Sequence, residues 1–413
     1  MSRRKKDKIR SRDIGGLKYF DQLAPLLERL HDVGCERDRA GNRKLHFDQY
    51  CLLILLYLFN PIVTSMRSLQ QASELEKVQK RLGVTRTALG SFSEAASVFD
   101  ADRLVEIIQE LGAQVQPLTK DARLKDIRQI ITPVDGTLIK ALPKMAAASL
   151  LKEQTGSGLV NWRLHTHFDV ERHVPTSIDV TPDGGGPNDE RAVLERTIQS
   201  DHCYLKDRGY AKFSLFNEIH DKHSSYVCRL RDNSQYEVLK ERPLTNADRA
   251  VHVLSDQIVS MGQNRRGRDR PNHPLRLVII QTTPHVSRGK YRGGSTGVDS
   301  DGYLRLATNL LTVPAEIIAL LYQYRWMIET FFRMFKHLLG CRHLLSHSEN
   351  GIQIQAYCAI IACQLINLWT GRKPTKRTYE MVCFYLMGWA SEEELLKHLD
   401  KLQRHDEVVA KKQ

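Results

Sequence analysis

The 413-residue chain has no CxxC pair among its eight cysteines, at positions 35, 51, 203, 228, 341, 358, 363 and 383. Neither a cysteine-based zinc module nor a disulfide framework is therefore expected, and the cysteines read as reduced, mostly buried small apolar residues. The most apolar run, Tyr50 to Phe59, falls well short of the roughly 20 residues that a spanning helix needs. Nothing at the N-terminus resembles a secretory leader, so a cytoplasmic protein with no membrane partner is expected. A P-loop pattern, an internal repeat and a long low-complexity segment are also missing, which removes the common nucleotide-binding and solenoid readings. Acid is in deficit: 48 Asp and Glu face 61 Lys and Arg, a net charge of +13. A surplus of that size favours a polyanionic partner, nucleic acid above all.

What is present divides the chain. Residues 1–120 read as a helical, DNA-binding region opened by the basic tract Ser2 to Arg12. Within it, 68–83 and 85–99 carry two helical patterns joined by a turn at Gly83-Val84, either a helix-turn-helix or an ordinary helical hairpin. From about Ile127 the period shortens. Strands are expected over 128–140, 159–170 and 175–183, then a helix over 189–199 and a fourth strand ending in 203–210. Residues 121–222 thus open a mixed α/β sheet, residues 223–302 read as a β-rich insertion, and 303–370 complete the core. This last part holds a strand over 303–310, one long helix from Pro314 to Gly340, and an apolar helix from Ile352 to Trp369. Residues 371–413 read as a charged helical tail.

The helix after Pro314 is the most informative segment. At about 100° per residue, Tyr322, Arg325, Glu329 and Lys336 fall within one narrow stripe, flanked by Trp326, Arg333 and His337. Leu321, Ile328, Phe331, Phe332, Phe335 and their neighbours fill the opposite arc. One face packs on a sheet, and the other presents a single acid among cations and aromatics. Such spacing usually means an exposed i, i+4 ion pair, worth about half a kcal/mol. The aromatic and cationic company suits a phosphodiester backbone better.

Tyr322-x2-Arg325-x3-Glu329-x6-Lys336 resembles the YREK motif of bacterial insertion-sequence transposases of the DDE superfamily, the IS-four-type group. Val134 to Thr137 (VDGT) is similar to the strand that carries that group's first catalytic Asp, and Leu205 to Tyr210 (LKDRGY) to the segment that carries its second. The resemblance covers roughly residues 60–370 and is strongest at these three motifs. It implies an RNase H-like core in which Asp135, Asp207 and Glu329 are the catalytic, metal-binding triad. It also implies two Mg²⁺ or Mn²⁺ ions, since phosphodiester cleavage builds negative charge on attacking and leaving oxygens that two metals about 4 Å apart stabilise. Hard oxygen ligands select those ions. Tyr322, Arg325 and Lys336 then position phosphates, Trp326 stacks on a displaced base, and Arg333 is a further DNA-binding residue. The implied partners are double-stranded DNA, as transposon terminal inverted repeats and as target, and a second copy of the chain in a synaptic homodimer. No small-molecule substrate is implied, and the protein would be nucleoid-associated. The rival functions are an RNase H-like nuclease that cuts without joining and a domesticated DNA-binding protein.

Without metal, neighbouring carboxylates repel, so Asp135 or Asp207 should titrate abnormally. Asp169, Asp179 and Asp183 lack such context and read as surface or turn residues, as do Asp299 and Asp301 in the Gly-rich loop 293–302. Gly136 and Gly209 read as positions of close backbone approach. His165 and His167 share one strand face with no further ligand at metal spacing, so strand packing or a DNA contact is preferred to zinc.

Overall fold

The computed structural model describes residues 19–32, 38, 41, 43–117, 121–140, 161–263, 267–282, 302–340, 344–346 and 348–410. The basic tract Ser2 to Arg12, Asp299, Asp301, Cys35 and Cys341 lie outside these residues. The other six cysteines are buried and form no disulfide, as expected of reduced small apolar residues.

Among the described residues, nine strands make one mixed sheet: β1 (Ile130–Lys140), β2 (Asn161–Asp169), β3 (Val174–Pro182), β4 (His202–Lys206), β5 (Ser225–Arg229), β6 (Tyr236–Glu241), β7 (Val253–Met261), β8 (Leu275–Gln281) and β9 (Tyr303–Thr308). Their spatial order is β3-β2-β1-β4-β5-β9-β8-β7-β6. β1, β2 and β3 form an antiparallel meander. The chain then crosses through α7 (Glu190–Thr197) to lay β4 parallel to β1, and through α8 (Phe213–Asp221) to lay β5 parallel to β4, while the short α9 (Asn246–Ala250) joins β6 to β7. This is the RNase H-like mixed sheet that the family resemblance implied.

The insertion differs from its expected form. β5, assigned to it by sequence, is a core strand, and β9 pairs with both β5 and β8, so β6 to β8 extend the core sheet. The join is apolar. Val227, Val278, Ile280 and Leu306 share one buried cluster with Ile318 and Leu321 of α10 (Ala315–Tyr324), the helix laid across β4, β5, β7 and β8.

The N-terminal helices are α1 (Tyr19–Glu28), α2 (Phe47–Phe59), α3 (Met66–Ser73), α4 (Glu76–Leu82), α5 (Leu89–Val98) and α6 (Arg103–Gln114). They share a single core with α11 (Trp326–Gly340) and α12 (Glu349–Thr370), which packs against α2, α5, α6 and β3. α12 is long and apolar enough to cross a membrane, yet it is almost wholly buried inside the protein. α13 (Lys376–Leu386) and α14 (Glu392–Ala410) close the chain.

Two helical expectations need correction. The 68–83 pattern breaks at Leu75, whose backbone is extended, and residues 85–88 are not helical. The buried Thr87 donates its N–H to Ser73 Oγ at 3.0 Å, tying that extended segment to the end of α3. Three short helices therefore replace the expected pair, although Gly83 does make the expected turn at a φ of 63°. The long helix is likewise divided at Arg325. Tighter i to i−3 bonds, Arg325 N–H to Tyr322 O and Ile328 N–H to Arg325 O, kink the axis with no Pro or Gly to announce it.

Candidate active site

The pairing of β1 with β4 sets the first two acids side by side. Pro133 lies opposite Leu205 in the parallel register, and Asp135 and Asp207 each follow two residues later. Asp135 Oδ1 accepts the Gly136 N–H at 2.8 Å, and Asp207 Oδ1 accepts the Gly209 N–H at 2.8 Å as it caps a short 3₁₀ turn. Burial, reinforced by the neighbouring Asp207 charge, pushes the Asp135 carboxyl up to about 7. That is the abnormal titration expected of clustered carboxylates.

α11 packs against β1 and carries Glu329. Arg325 Nη2 donates to Glu329 Oε1 at 3.0 Å, and the same guanidinium is attracted to Asp135. Arg325 thus links the third acid to the first. The i, i+4 pair exists, but its side chains are only 14% and 31% exposed, so it is no solvated surface pair. The kink at Arg325 occurs at this link.

Tyr322 is half-buried with its ring 5.6 Å from the Arg325 guanidinium, and burial raises its hydroxyl to about 12. Trp326, 5.7 Å from the same guanidinium, remains 58% exposed. Arg333 and Lys336 are exposed further along α11, Arg333 bonding Thr330 Oγ1 at 3.2 Å. The predicted DNA-contacting residues therefore divide into a cluster of Tyr322, Arg325 and Trp326 and a separate exposed pair.

The remaining acids and histidines are engaged elsewhere. Asp169 holds Arg172 in the β2–β3 turn, Asp179 pairs with Arg196, and Asp183 with Arg163. Asp169 is buried rather than on the surface, yet it is a turn residue, because its Oδ1 accepts the Arg172 N–H. Burial lowers His165 to about 4 and His167 to about 3, and their Nε2 atoms lie 2.9 and 3.1 Å from Thr181 Oγ1 and Thr197 Oγ1. Both are neutral strand-packing residues at pH 7.

A profile of the transposase DDE domain matches residues 127–365, more than half of the chain, from the strand of the first acid past the helix of the third. The chain belongs to the transposase DDE domain family. It is 27% identical over 207 residues to a putative transposase, y4zB, of Sinorhizobium fredii, covering 50% of this chain and 52% of that protein. It is 26% identical over 224 residues to a probable transposase for insertion sequence element IS5377 of Geobacillus stearothermophilus, covering 54% and 52%. The match thus spans about half the length of these two relatives. A putative transposase for insertion sequence element IS4SA of Synechocystis is 22% identical over 334 residues, covering 78% of this chain and 84% of the relative. Among solved structures, a piggyBac transposase synaptic complex with hairpin DNA aligns at a TM-score of 0.40 and 11% identity, over 94% of this chain and 80% of that one.

The transposase domain holds one acid at this site that sequence reasoning passed over. Glu190, in the first turn of α7, pairs with Arg163 and reaches over Gly136, where a β-carbon would collide with its Oε1. Gly136 therefore makes room for a side chain, where sequence had suggested a backbone approach. Burial raises the Glu190 carboxyl against the pull of Arg163, and its charge is felt by Asp135. The sequence signal was weak, because an acid in a first helical turn is common for reasons of the helix dipole alone. Lys206, directly before Asp207, is fully buried above Phe216 and Tyr226 at 4.6 and 5.0 Å, and burial lowers its amine to about 8. Strand alternation accounts for the contrast between these two neighbours.

Proposed function

We propose that this chain is a metal-dependent DDE transposase that cuts DNA at the ends of a mobile element and joins the freed 3′-hydroxyl to target DNA. One observation carries the reading. Within a matched transposase domain, Asp135 and Asp207 are half-buried and within reach of each other's charge, while the cation that Asp135 feels, Arg325, is already bonded to Glu329. Buried negative charge without matching cations is unstable unless a further cation completes it.

The donor set fits that cation. Asp135, Asp207 and Glu329 offer only hard carboxylate oxygens, which suit Mg²⁺ or Mn²⁺, two per site in this reading, above softer metals. When bound, such ions supply charge stabilisation for the attacking and leaving oxygens of the phosphodiester. The chain supplies the rest. Arg325 orients Glu329 and offsets part of its charge, Tyr322 and Lys336 hold phosphates, and the exposed Trp326 ring offers a stacking face for an unpaired base. Exposed Arg67 and Lys77 on α3 and α4 belong to the surface proposed to grip the terminal inverted repeats. Two copies would pair two ends in the synaptic complex, at the nucleoid.

The test is incubation of the chain with end-containing duplex and Mg²⁺, alongside Glu329→Gln. Both should bind, and only the unmodified chain should cleave and produce joined product. Cleavage without joining would favour a nuclease, and equal cleavage by both would remove Glu329 from the chemistry.

A further inference from the structure

The turn between α1 and α2 brings together a second set of metal-ligating side chains, chemically unlike the first. His31 and Asp32 follow α1, and His46 directly precedes α2. The two imidazoles stack with centroids 3.7 Å apart and planes 11° from parallel. His31 Nδ1 lies 3.1 and 3.0 Å from the two carboxylate oxygens of Asp48 in the first turn of α2. His46 Nδ1 lies 3.9 Å from Asp32 Oδ1 and 3.1 Å from the His31 carbonyl oxygen. One ligand atom each from His31, Asp32 and His46 falls within 4.8 Å of the others.

We propose that His31, Asp32 and His46 bind a borderline transition-metal ion, zinc being the best fit, and that the ion fastens the end of α1 to the start of α2. Ligands about 2.0–2.1 Å from a tetrahedral zinc stand roughly 3.4 Å from one another, so the three ligand atoms, within 4.8 Å of one another, need close in only slightly around an ion. Asp48 supplies what such sites commonly add, a carboxylate bonded to a ligating imidazole that holds the ring in place. Two carboxylates flank the stacked pair, and like-charge repulsion disfavours protonating both rings to meet them. A shared cation satisfies both rings and both acids. Imidazole ligands prefer zinc, cobalt or nickel to magnesium, so this site and the carboxylate site would select different ions. Access is open, because the Asp32 side chain is 87% exposed and that of His31 39%.

The test uses the full chain, stripped with chelator and held in excess Mg²⁺ so that the carboxylate site is saturated. Zinc is titrated by calorimetry, and Co²⁺ is followed by its visible absorption. One equivalent is expected in the unmodified chain and equally in Glu329→Gln, with a zinc-dependent rise in melting temperature. His31→Gln and His46→Gln should lose the equivalent, and Asp48→Asn should weaken it by about 10- to 100-fold. Asp32→Asn changes an exposed side chain, so it should fold whatever the histidine variants do, and it should weaken zinc at least about tenfold. The proposal is overturned if the unmodified chain takes up no zinc beyond magnesium, or if Asp32→Asn and the histidine variants bind as it does.

Discussion

Two buried charge clusters lie on the same sheet and are built in opposite ways. In the insertion, Asp256 on β7 receives Arg276 at 2.7 and 2.8 Å and Arg242 at 3.0 Å. The spare donors go to the carbonyls of Leu310, Leu311 and Val313. Arg276 is 0% and Asp256 5% exposed at the side chain, so two cations satisfy the acid and three carbonyls accept the donors left over. In the middle of β1 and just past the end of β4 the balance is reversed. Asp135, Asp207, Glu190 and Glu329 meet Arg325 and Arg163, each already paired to an acid. A complete cluster pins the insertion strands to the start of α10. An incomplete one leaves carboxylate charge without a matching cation, the pattern that often marks a functional site.

The largest expected effect attacks the incomplete cluster. Asp207→Asn should lower cleavage of end-containing DNA by at least about a thousandfold while DNA binding persists, measured in single-turnover assays. A variant that still cleaves would show that the charge excess is not the catalytic one. Next, Arg276→Met should cost about 3–5 kcal/mol of stability in denaturant unfolding, because it leaves Asp256 buried with one cation. Arg276→Met combined with Asp256→Leu should recover most of that loss. No recovery would mean that the cluster is more than a closed ion pair.

The third effect concerns pH. The folded-state pKa of Asp135, about 7, lies above its ordinary 3.8, so the folded protein holds this proton more tightly than the unfolded chain. The resulting stabilisation is full below the unfolded value and is lost as pH rises through the folded one. In chelator at pH 8, Asp135→Asn should therefore be about 2–4 kcal/mol more stable than the parent, with the gap closing near pH 4. Thermal melts across that range check the sign, and a gap that widens at low pH would contradict it. The smallest effect is that of Glu190→Gln, which should lower cleavage about tenfold, or about 1.4 kcal/mol, with the fold intact by circular dichroism. Unchanged cleavage would make Glu190 a partner of Arg163 alone.

Much of this site was legible before the fold. Asp135 and Asp207 stood beside β-rich runs, and the wheel placed Arg325 and Glu329 on one stripe opposite the apolar face that does pack inward. The remainder had no local signal. β6, YEVLKE, is exposed along most of its length and shows no alternation to detect, and the helix break at Arg325 is marked by no Pro or Gly. Glu190 became visible only once α7 was folded over Gly136.

The sequence by itself carried the motifs on which the family resemblance rests, and with it the candidate oxygen donors, while helical periodicity placed the cationic stripe, because these belong to side chains and short-range spacing. That Asp135 titrates near 7 was decided by tertiary structure. Its shift requires burial and the charge of a residue 72 positions away, which become neighbours only when β1 and β4 pair in register.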